Sequence, residues 1–141
     1  MKKTMQATVS ITLALLFTLL LVSCNTVEKT GVWEEATYRK DMEFGKGEKT
    51  LTVEVVAEDQ TVTFTVHTDK TTVGEALLEH ELIDGAQGDY GLYVKKVNGI
   101  TADYDVNQSY WSFYINDEYA MSGVDGTEIV EADIYRLEYT K

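Results

Sequence analysis

The chain has 141 residues, 12 Lys and Arg against 24 Asp and Glu, and a formal net charge of −12 at pH 7. That acid excess excludes a nucleic-acid binder, whose phosphate contacts need basic patches, and the length leaves room for one core domain. One cysteine and two histidines exclude a disulfide framework and are too few and too scattered for a zinc site.

In chain order, Lys2-Lys3 precede an apolar run from about Ala7 to Val22, broken only by Thr8, Ser10, Thr12 and Thr18. A positive end followed by a hydrophobic middle is the layout of a secretory signal peptide. The run falls short of the roughly 20 apolar residues of a membrane-spanning helix. It ends in Leu21-Val22-Ser23-Cys24, which matches the lipobox of bacterial lipoproteins at each position. The chemistry there requires a thiol, because diacylglycerol is attached through a thioether before the peptide is cut ahead of the cysteine. Residues 1–23 are therefore expected to be a lipoprotein signal peptide and Cys24 the site of lipid attachment. Two or more acyl chains anchor stably, each buried methylene contributing about 0.8 kcal/mol. Anionic headgroups would repel so acidic a surface, so the lipid is the expected membrane anchor. The expected place is the extracytoplasmic face of a bacterial cell membrane.

Residues 24–49 read as a lipid-anchored flexible tether, polar and mixed in charge, with Gly31, Gly45 and Gly47. Trp33, Tyr38 and Phe44 are the side chains there that could dock. A folded domain is expected over 50–141. Leu51, Val53 and Val55, then Val62, Phe64 and Val66, alternate with polar residues around Glu58-Asp59-Gln60, which predicts a β-hairpin with one buried face. Thr72-Val73-Gly74-Glu75 is a capping box opening a short helix that ends near His80. Gly91 to Val97 reads as a strand running into the Asn98-Gly99 turn, and Tyr110 to Ile115 as another. Asn116-Asp117 turns the chain into Glu118–Met121, and Ile134 to Thr140 is the last strand. The order β-β-α-β-β-β predicts an α+β, β-grasp-like domain, one short helix packed on a small mixed sheet.

Little in the chain points to catalysis, and the expectation is a protein that is not an enzyme and requires no cofactor. Ser109, Ser112 and Ser122 lie in no Gly-x-Ser-x-Gly context, and only His67 and His80 could serve as a base. Asp103-Tyr104-Asp105-Val106-Asn107 opens like an EF-hand loop, but Gln108 and Tyr114 stand where its glycine and bidentate glutamate belong. Aromatic density is the stronger signal: eight of the nine tyrosines fall at or after Tyr90. Such rings beside glycines suit either a strand core, a flat ligand or a protein partner.

Five segments then occur in order: Thr72-Val73-Gly74-Glu75-Ala76-Leu77-Leu78, Gly88-Asp89-Tyr90-Gly91-Leu92-Tyr93-Val94, Val97-Asn98-Gly99, Tyr110-Trp111-Ser112-Phe113-Tyr114 and Met121-Ser122-Gly123-Val124. Together they resemble the C-terminal-domain-like family of transcobalamin and intrinsic factor, which includes many bacterial lipoproteins. The resemblance implies a β-grasp whose one face covers a corrinoid such as cobalamin. Carried over by position, it nominates Tyr90, Tyr93, Tyr110, Trp111, Tyr119, Met121, Ser122, Gly123 and Val124 as ligand-binding residues. Asp117 and Ala132 stand where family members often have glycine. The implied role is non-covalent binding of a soluble ligand for uptake, with an importer to receive it. A protein- or glycan-interaction module at the cell envelope is the other reading, and a metal-binding protein using clustered acids a third.

Overall fold

The computed structural model describes residues 31–141. The expected signal peptide and Cys24 lie outside the described residues. The period-2 run from Thr50 folds as the hairpin it encodes: β2 (Lys49–Ala57) pairs antiparallel with β3 (Gln60–Thr68) around Glu58-Asp59. Leu51, Val53, Val55 and Ala57 meet Val62, Phe64 and Val66 on one face, each no more than 1% exposed. The last strand, which is β9 (Ile134–Thr140), lies parallel to β2, with Val53 opposite Tyr135 and Val55 opposite Leu137. Beyond it run β7 (Tyr110–Ile115) and the short β8 (Glu118–Tyr119), both antiparallel to their neighbours. At the far edge β1 (Met42–Gly45) pairs parallel with β3, giving a six-stranded mixed sheet in the order β1-β3-β2-β9-β7-β8. The domain is α+β and β-grasp-like, as expected.

The helix α1 (Val73–Glu79) begins at the capping box: Glu75 N donates to Thr72 Oγ1, and the Glu75 carboxylate accepts from the Thr72 and Thr71 amides. Those backbone donors favour the ionised form and hold the Glu75 pKa below its ordinary value. Val73, Ala76 and Leu77 are buried against the sheet. The helix stops where Leu82 N reaches Leu77 O and Glu81 N reaches Leu78 O, a Schellman ending with Glu81 at φ 55°.

Three features differ from expectation. First, residues 31–49 are not a free tether. Trp33 is only 3% exposed and its Nε1 donates to Ala57 O at 2.8 Å. Tyr38 packs edge-on against Phe44 and Phe64, and its backbone is bonded in both directions by the Asn98 side chain. The segment is polar on average, but these few rings find an apolar edge and unpaired backbone groups, which offset its ordering entropy. Second, β4 (Ile83–Gly88) pairs with β5 (Gly91–Val97), and β6 (Ile100–Thr101) with the far end of β5, making a second sheet of three strands. Ile83-Asp84-Gly85-Ala86-Gln87-Gly88 shows no alternation because only Ile83 is buried. It is a strand through its partner, and Gly85 is required there: a Cβ would sit 2.0 Å from Tyr93 O. Third, the return strand after Asn116-Asp117 is shorter than expected. Asp117 adopts φ 67°, and its carboxylate pairs with Arg136.

The core lies between the large sheet, α1 and the base of the second sheet. Tyr135, 1% exposed, accepts from Val130 N at 2.9 Å and donates to Glu128 O, tying the loop before β9 to the sheet. Burial raises its pKa above the ordinary value. Among the described residues, no helix is long and apolar enough to cross a membrane.

Candidate ligand-binding cleft

The two sheets diverge at one side of the molecule and leave a cleft of about 630 Å³ between them. All nine residues nominated from sequence line it. The β4–β5 hairpin forms one wall: Tyr90 at its tip is fully exposed and Tyr93 is half-exposed. Tyr110 and Trp111, at the start of β7, contribute to the opposite side. The third wall is the chain leaving β8, with Tyr119 and Met121 exposed and Ser122 and Gly123 at the rim.

Not all nine are equally available. Val124 is 2% exposed and belongs to the core beneath the cleft. Trp111 is 8% exposed, packed edge-on against Tyr139 at 5.6 Å, and its Nε1 is buried without a hydrogen-bond partner. The surfaces a ligand would meet first are therefore Tyr90, Tyr93, Tyr119 and Met121, each among the large hydrophobic side chains left exposed.

The wall after β8 is rigid for local reasons. Thr127 Oγ1 donates to Gly123 O at 2.8 Å and lies 3.2 Å from Ser122 Oγ, while Gly126 N bonds Gly123 O. The resulting 3₁₀ turn, Val124–Gly126, rests on the first turn of α1, where a Cβ on Gly74 would stand 2.9 Å from Asp125 backbone atoms.

Sequence reasoning missed Leu92, Val94, Phe113, Ala120 and Leu137, which complete the apolar lining, and Asp125. Leu92 and Val94 sit within the quoted strand but carry no special chemistry. Asp125 is one acid among many, and nothing local in the sequence sets it apart. Among the described residues it is the sole charged side chain lining the cleft. A chain this acidic thus presents a nearly uncharged recess, suited to an uncharged or apolar-faced ligand held by packing and a few hydrogen bonds.

The remaining candidates for chemistry are occupied elsewhere. His67 Nε2 lies 2.6 Å from Glu43 Oε1 and its Nδ1 lies 3.3 Å from Thr50 Oγ1. His80 stacks on Phe44 with ring centres 5.9 Å apart. The EF-hand-like opening forms a helical turn, α2 (Tyr104–Asn107): Asp103 caps it by accepting from Asp105 N, and Asn107 Oδ1 accepts from Ser109 N. Among the described residues no group of three or more His, Cys, Asp or Glu side chains could hold a metal ion together.

The family described as "Domain of unknown function (DUF4430)" matches residues 70–141, which include every wall of the cleft. Among solved structures, the fold is similar to a protein of Ruminococcus gnavus ATCC 29149 named as a candidate metal-binding protein. The two are 34% identical with a TM-score of 0.63, over 67% of this chain and 98% of that one. A weaker similarity, 15% identity and TM-score 0.48, is to haptocorrin in complex with Cbi, covering 70% of this chain and 26% of haptocorrin. No curated protein matches the chain.

Proposed function

The chain belongs to the DUF4430 family, and on that premise we propose that it is a non-catalytic binding protein whose aromatic cleft holds a soluble ligand. The observation that carries this reading is the convergence of Tyr90, Tyr93, Tyr119 and Met121 on one nearly uncharged recess of about 630 Å³. Exposed rings at the rim of a concavity favour flat or apolar-faced ligands, which bury both faces of contact at little entropic cost. A corrinoid is the first candidate, by the resemblance of the Tyr-Trp strand and the Met-Ser-Gly-Val segment to the transcobalamin family.

In this reading Cys24 carries the lipid, the protein stands on the extracytoplasmic face of the membrane, and the cleft passes its ligand to an importer. One domain covers one side of a ligand, so affinity is expected to be modest. Calorimetric titration of cobinamide and cobalamin into the acyl-free chain from residue 25 tests the ligand. Heat without saturation, or none at high micromolar ligand, removes the corrinoid. Mass spectrometry of the native amino-terminal peptide tests the anchor, which requires diacylglycerol on Cys24.

Full exposure of Tyr90 and Met121 favours a second reading, an envelope protein or glycan as the bound partner. That reading predicts capture of a surface partner, lost on Tyr119→Ala in a variant that remains folded. The name of the Ruminococcus relative adds a metal as a third ligand to test, by elemental analysis and by thermal shift with calcium.

A further inference from the structure

The hairpin that carries Tyr90 and Tyr93 has a distinctive attachment. Its tip is a two-residue turn, Asp89-Tyr90, between paired Gly88 and Gly91. β6 pairs with β5 only at Lys96 and Val97, so the outer edge of β5 near the tip has no strand beside it. The edge donor there, Leu92 N, is taken by Asp125 Oδ2 at 2.9 Å, from a turn far away in sequence.

The contact is built into the backbone on both sides. Gly91 adopts φ +99°, and a Cβ on it would stand 2.6 and 2.7 Å from the two Asp125 carboxylate oxygens. The carboxylate therefore lies directly on the glycine, in a place no other residue leaves free. On its own side Asp125 belongs to the 3₁₀ turn braced by Thr127 and seated on Gly74 of the helix. A rigid anchor thus holds a glycine-flanked arm.

We infer that Asp125 is a positioning residue for the cleft, a latch that sets the β4–β5 hairpin at its distance from the Met121–Val124 wall and so fixes the opening a ligand must fit. This rests on the reading of the cleft as the binding site. The Asp125 carboxylate in the recess has one oxygen bonded to Leu92 N and both oxygens seated against Gly91, so it is engaged by the hairpin rather than free to a ligand. With the latch released, the hairpin is held at its base by the short β6 ladder and the Asn98 N–Leu82 O bond, and along its length by the packing of its apolar side chains, and it opens as a unit.

Amide hydrogen exchange on the full chain, read beside cobinamide titration, tests the latch. Asp125→Ala is expected to speed exchange of amides 88–94 by at least about tenfold, the factor that loss of one charge-assisted hydrogen bond produces. Amides of β2 and β3 should keep their protection, and cobinamide should bind about fivefold or more weakly. Asp125→Asn retains an acceptor but loses the charge, and should fall between the parent and Asp125→Ala in both readouts. Gly91→Ala, which displaces the carboxylate from the other side, should reproduce the Asp125→Ala exchange pattern and serves in its place if that variant does not fold. Unchanged hairpin exchange in Asp125→Ala overturns the latch, as does an equal loss of protection in β2 and β3. Failure of the parent chain to bind cobinamide defeats the corrinoid reading, and the exchange result still decides the latch.

Discussion

Two segments that each set isolated aromatic rings among glycines meet opposite fates in this molecule. Residues 31–49, rich in charges of both signs, and residues 83–94, with only Asp84 and Asp89 charged, each carry three glycines and isolated aromatic rings. In the first, Trp33 is almost wholly buried and its indole bonded to Ala57 O. In the second, Tyr90 is fully exposed and Tyr93 nearly half so. The difference lies in what surrounds them. The first segment runs along an unpaired strand edge and an apolar seam beside Phe64, where an aromatic ring displaces water and closes the core. The second pairs with itself and projects past the sheet, so its rings line the cleft. Aromatic rings in a polar stretch are thus fastenings or contact surfaces according to the edge they reach.

The comparison is sharpened most by Trp33→Ala. Loss of a buried indole is expected to destabilise the fold by about 3–5 kcal/mol in denaturant titration, with ligand affinity unchanged while the protein is folded. Next is Asn98→Ala. Asn98 is 1% exposed and holds the backbone of Tyr38 through two hydrogen bonds, of 2.9 and 2.7 Å. Its removal should lower stability by about 2–3 kcal/mol and loosen exchange at residues 37–40 before it affects the hairpin.

Tyr135 supplies a pH test of the body that both segments share. Its folded pKa is raised by burial, so its neutral form is favoured in the native state. That contribution is fully present below the unfolded value near 10 and is lost as pH rises through the folded value. Tyr135→Phe should flatten the alkaline limb of the stability profile, and should lower stability at neutral pH by about 1–2 kcal/mol because Val130 N loses its acceptor. The smallest effect on stability belongs to Tyr90→Ala, expected within about 0.5 kcal/mol of the parent because the ring touches little. It should nonetheless weaken ligand binding, and a Tyr90→Ala variant that unfolds more readily breaks the contrast with Trp33.

Elements that carry their own periodicity were legible from the sequence. The β2–β3 hairpin, the Thr72 capping box, the Asn98-Gly99 turn and the strands at 110–115 and 134–140 form where alternation or turn chemistry places them. What was not legible is structure imposed by a partner. β4 has one buried residue and forms because β5 lies beside it; β1 forms because β3 has an open edge. The cleft follows the same division. Its aromatic residues announce themselves by type and order, whereas Asp125 acts on an amide distant in the chain, and no local pattern encodes that meeting.

The docking of Trp33 also sets a length. Nine peptide units separate Cys24 from the docked indole, a span of at most roughly 30 Å at full extension. On the proposed reading of Cys24 as the lipid-bearing residue, that span caps how far Trp33 can stand from the membrane surface.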